Sequence, residues 1–172
     1  MPNWTTCTLT MRGIGTNAAL YSDTEDGKRY FDFNKIIPEP KTPEECVEKY
    51  GERYLDHVDE NGNSAHALMH TDDDSWFNWY DWHCDFWNTK WGACDTRVEG
   101  PNTVVFDTAW DAPYPIFEKL SELFPNELLH TKLEFEGEWG VLYHQIYKGG
   151  ICIDRTEEHL DDEDEDEDDE DV

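Results

Sequence analysis

Basic residues are scarce: 13 lysines and arginines stand against 41 aspartates and glutamates in 172 residues. Proteins hold duplex DNA largely through Lys and Arg that neutralise phosphates. A net charge of −28 therefore argues against direct nucleic-acid binding. No run approaches the ~18 apolar residues that a membrane-spanning helix needs, so no membrane association is expected. Cysteine is sparse and poorly placed for pairing. Cys7, Cys46, Cys84, Cys94 and Cys152 are odd in number, fit no disulfide framework, and follow no leader-like segment, which points to a reducing cytoplasm. A nucleophile elbow, a Gly-rich phosphate loop and an HExxH helix are also missing, so the chain reads as non-enzymatic and without a cofactor.

What is present is acid and aromatic surface. Eight each of Trp, Tyr and Phe supply a core from few side chains, since each buries roughly 150–250 Å². Eleven acids form the unbroken run Asp161 to Asp171. Removing them from −28 leaves −17 on the rest, so the acidity is not confined to the end of the chain.

The pattern along the chain predicts the elements. Trp4 to Arg12 alternates Thr with Cys, Leu and Met, the period of a half-buried strand. Residues 16–29 read as turns, and Tyr30 to Ile37 as an extended segment closed by Pro38 and Pro40. Thr42-Pro43-Glu44-Glu45 has the form of a helix start, and that helix is expected to run to about Val58. Trp76 to Trp87 is spaced as a helix capped by Ser75 and aromatic nearly all round. Thr103 to Ala109 reads as a strand and Pro113 to Phe124 as a helix. Thr131 to Trp139 and Val141 to Lys148 form a hairpin about Gly140, with a short edge strand at Ile151 to Ile153. The order β-α-β-α-β-β predicts an α+β, ferredoxin-like fold, its antiparallel or mixed sheet carrying helices on one face. One domain over 1–156, with an insertion near 30–74, is expected to precede a disordered acidic tail at 157–172.

Several of these segments resemble one family. MPNW, FDFNKIIPEP, the WYxW…WxTKWGA stretch at 79–93, FDTAWDAPYPIFEKLSELFP at 106–125 and EFEGEWG together resemble the YubB-like proteins of phages and plasmids. That resemblance implies the ferredoxin-like domain and a mobile-element origin, and it carries over no catalytic residue.

Four constellations are candidates for function. Trp82, Trp87, Trp91 and Trp110 have the shape to stack a flat ligand, but aromatic platforms for nucleic acid lie in basic grooves, and here acids surround them; core packing is the expected role. His66, His70, His83, Cys84 and Cys94 form no complete zinc set, and Asp72-Asp73-Asp74 lacks the glycine and distal Glu of an EF-hand loop. Cys84, Cys94, His83 and His144 permit a Cys/His pair that nothing marks as activated. The acidic surface carries the leading expectation: an accessory protein that binds a basic, nucleic-acid-binding host protein, as a nucleic-acid mimic would against a restriction or CRISPR-type defence factor. The partner-binding candidates are Asp72, Asp73, Asp74, Asp81, Asp85, Asp95, Asp107 and Asp111. The alternative expectation is a small-molecule- or metal-binding protein that uses the Trp-rich segment 76–91.

Overall fold

The computed structural model describes residues 3–56 and 76–160. Strand β1 (Trp4–Thr10) turns Thr5, Cys7 and Leu9 inward and its remaining residues outward, as its alternation requires. It lies in the middle of a six-stranded sheet ordered β4-β5-β1-β6-β7-β8, in which every pair of neighbours is antiparallel. The strands are β4 (Cys94–Val98), β5 (Thr103–Ala109), β6 (Leu129–Phe135), β7 (Val141–Lys148) and β8 (Ile151–His159).

Helices α2 (Trp79–Phe86) and α3 (Tyr114–Leu123) complete β1-α2-β4-β5-α3-β6. With β4-β5-β1-β6 as the spatial order, this is the split-βαβ arrangement of the ferredoxin-like fold, and β7 and β8 widen the sheet beyond β6. The sheet is purely antiparallel, which resolves the antiparallel-or-mixed expectation. Cys7, Phe106 and Leu133 meet across adjacent strands on its core face, where Ile116, Phe117 and Leu120 of α3 are fully buried.

Between β1 and α2 the chain inserts a small ribbon, β2 (Tyr21–Asp23) paired with β3 (Arg29–Phe31), and helix α1 (Pro43–Tyr50). The insertion is keyed to the sheet by aromatic rings. Phe31 stacks on Phe106 at 5.2 Å, and Phe33 meets Phe106 and Trp87 edge-on at 5.7 and 5.5 Å. Thr42 Oγ1 accepts the Glu45 N–H at 3.1 Å and Pro43 takes the first turn, as the sequence predicts. The helix stops eight residues short of Val58 because Gly51 adopts φ 90 and turns the chain out.

Other departures have equally local causes. Asn78, not Ser75, caps α2. The turn-like stretch 16–29 contains β2. The exit after α2 becomes strand β4, whose register shifts between Cys94 and Arg97 and which is largely exposed. The short edge strand becomes the nine-residue β8, which pairs along β7 to His159, so the domain reaches past the boundary expected at 157. Residues 161–172 lie outside the described residues. No helix among the described residues is long and apolar enough to cross a membrane.

Candidate functional site

Of the eight aspartates read as partner contacts, Asp72, Asp73 and Asp74 lie outside the described residues. The other five are spread over three elements and one turn. Asp81 sits in the first turn of α2, where its N–H donates to Asn78 Oδ1 at 3.2 Å and its Oδ2 accepts from Asn78 Nδ2 at 2.9 Å. A carboxylate there complements the helix N-terminus. Asp85, one turn on, accepts the Tyr54 hydroxyl at 2.8 Å and pairs with Arg53 at 3.2 Å. Asp107 on β5 accepts the Thr6 hydroxyl of β1 at 2.7 Å. Asp111 folds back onto the Ala112 N–H at 2.7 Å and accepts Asn88 Nδ2 at 3.1 Å. Asp95 is exposed at the β4 irregularity with φ 46. Asp81, Asp85, Asp107 and Asp111 thus hold a cap, a tertiary contact, a cross-strand contact and a turn, and Asp95 and Asp107 both lie near the Cys94 thiol.

The residues outside 57–75 and 161–172 include all 13 bases and 25 acids, so the described body carries −12. Three of those acids stand on β8, where sequence reasoning placed no contact. That strand is one of the two outer strands of the sheet; it carries Asp154, Glu157 and Glu158 and leaves Ile151 65% and Ile153 57% exposed. The run Asp161–Asp171 begins two residues beyond it.

The four tryptophans singled out above divide. Trp82 and Trp87 are core, with Trp87 Nε1 donating to the Ile37 carbonyl at 2.9 Å. Trp91 and Trp110 remain partly exposed, and the Lys90 ammonium lies 4.5 and 5.5 Å from their ring centroids. Trp110 holds φ 78, a left-handed conformation rare for a bulky residue, with its N–H donated to the Asn3 carbonyl at 2.8 Å.

His83 is a structural group. Its ring stacks on Trp87 at 4.0 Å, Nδ1 reaches the Lys90 carbonyl at 2.8 Å and Nε2 reaches Glu39 Oε1 at 2.6 Å. A carbonyl only accepts, so Nδ1 is the donor in the contact with Lys90. His144 Nε2 contacts Glu158 at 2.8 Å across β7 and β8. Burial pushes the thiols of Cys84 and Cys94 up, and the neighbouring Asp81 and Asp95 push them further. Such environments disfavour the thiolate nucleophile. Among the described residues no three His, Cys, Asp or Glu side chains gather as metal ligands; His66 and His70 lie outside them.

One concavity, of about 640 Å³, opens between the insertion and the start of α2. Sequence reasoning found one wall of it, the aromatic segment from Trp76, but not the opposite wall.

The model of the ferredoxin-like domain in Api92-like protein matches residues 86–172, half of the chain. The chain belongs to the Api92-like family. This match supports the ferredoxin-like part of the family resemblance drawn from the motifs. No curated protein matches the chain. The crystal structure of protein api92 from Yersinia pseudotuberculosis aligns with 46% of this chain at 18% identity and a TM-score of 0.39. The alignment covers 29% of that longer chain.

Proposed function

We propose that this Api92-like chain is a non-enzymatic accessory protein that docks on a basic protein surface. The observation that carries the reading is β8, an outer strand bearing Asp154, Glu157 and Glu158 that leads into the acid run. A basic extended segment of the partner adds beside β8, where main-chain groups supply hydrogen bonds and exposed Ile151 and Ile153 supply apolar anchors. Fixed acids set the register, and the run at 161–171 steers the encounter, in a manner that weakens with salt.

The YubB-like motifs supply the setting: a protein of phages or plasmids, acting in the host cytoplasm. Its target in this reading is a nucleic-acid-binding defence factor of the restriction or CRISPR type, whose channel is basic. Low-salt capture from host lysate, followed by competition with duplex DNA, tests this. The reading expects a nucleic-acid-binding partner that added duplex releases. Recovery of no basic protein, or of one indifferent to DNA, overturns it.

A further inference from the structure

The cavity between the insertion and α2 gathers two lysines in a chain where basic residues are scarce. Its volume, about 640 Å³, falls within the range of small-molecule sites. Half-buried Trp76, Phe77 and Trp79 give it an aromatic wall. Among the described residues, two carboxylates and two ammonium groups line the remainder.

The carboxylates are engaged from within the fold. Asp32 is 8% exposed and accepts the Ser22 hydroxyl at 2.6 Å and the Asn34 N–H at 2.9 Å. Glu39 Oε1 lies 2.6 Å from His83 Nε2, and Glu39 Oε2 accepts Asn34 Nδ2 at 3.1 Å. The ammonium groups of Lys35 and Lys41 form no ion pair with any described residue. In a body with 25 acids to 13 bases, two such lysines beside one aromatic cavity are cations that a ligand can reach. The surrounding negative field is screened over about 8 Å at physiological salt.

We propose that this cavity binds a flat aromatic anion, its ring against Trp76 and Trp79 and its carboxylate or phosphate at Lys35 and Lys41. The His83–Glu39 pair holds the floor in place, because it ties the Pro38–Pro40 segment to α2. The site is independent of the β8 edge, and neither reading needs the other.

Calorimetry and tryptophan quenching on the full chain test it, with 1-naphthoate, 1-naphthyl phosphate and uncharged 1-naphthalenemethanol as probes. One or both anions should saturate, and the tighter of the two names the headgroup. Lys35→Gln and Lys41→Gln should each weaken the anions about tenfold, the value of one hydrogen bond to a charged group, and leave the alcohol unchanged. Both lysines are exposed, so circular dichroism should show intact folds. Saturation by neither anion, an alcohol that binds as tightly as both, or lysine variants that bind like the parent each overturns the proposal.

Discussion

Trp82 and Trp87 allow a clean comparison, because the two indoles are buried alike and differ in one hydrogen bond. Trp82 is fully buried and Trp87 3% exposed. The Trp87 N–H donates to the Ile37 carbonyl at 2.9 Å, whereas Trp82 Nε1 is buried with no partner among the described residues. Replacing either by Phe removes a similar ring volume, so the packing losses should be close. Trp87→Phe also orphans the Ile37 carbonyl, which costs about 1–3 kcal/mol more. Trp82→Phe removes a donor that made no bond, and it gains back part of its packing loss. Urea unfolding followed by far-UV circular dichroism reads both. Trp87→Phe should lower stability by about 1–3 kcal/mol more than Trp82→Phe. It should do so within a single transition, because Phe33 and Ile37 belong to the insertion and Trp87 to the ferredoxin-like body. Equal losses, or a greater loss from Trp82→Phe, would refute the assignment. A separate early transition in Trp87→Phe would show instead that the insertion folds as its own unit.

Three other outcomes follow from the geometry. At Gly15 an added Cβ would lie 2.1 Å from the Gly100 carbonyl oxygen, so Gly15→Ala should cost about 1–3 kcal/mol through backbone displacement, seen as a lower urea midpoint. Burial pushes the Tyr114 hydroxyl up to about 12, aided by Asp111, and raises Tyr147 and the Cys7 thiol as well. The folded state therefore retains protons that the unfolded chain releases, so stability should hold below pH ~8 and fall from there toward pH 12; Tyr114→Phe should flatten that decline above pH ~10, and an unchanged slope would count against the burial assignment. Ending the chain at Leu160 leaves β8 and its pairing whole while removing eleven acids, so the midpoint in low salt should stay level or rise as self-repulsion falls. A drop would mean that the removed residues support the sheet.

The elements that were legible in the sequence are those whose partners are implied by their own period. Thr5, Cys7 and Leu9 alternate because one face of β1 meets the core, and Ile116, Phe117 and Leu120 recur because one stripe of α3 does. Thr42-Pro43-Glu45 announces its helix because a cap is a local contact. β4 and the end of β8 were not legible, since both are outer strands with no fully buried side chain to set a period. Main-chain bonds to β7 hold Glu157 to His159, and composition carries no trace of them. The acids were harder still. Asp85, Asp107 and Asp111 read as free charge until Tyr54, Thr6 and Asn88 arrive from elsewhere in the chain. Lys35 and Lys41 likewise line one cavity with Trp76 and Trp79 only because the insertion folds back on α2.

The docking account is tested most directly by the association rate between the full chain and its captured partner, measured across ionic strength beside an Asp154→Asn/Glu157→Gln/Glu158→Gln variant. The account predicts a rate that falls steeply with added salt and a variant that dissociates faster at every salt concentration. A rate indifferent to salt, with a variant that stays bound as long as the parent, would contradict it.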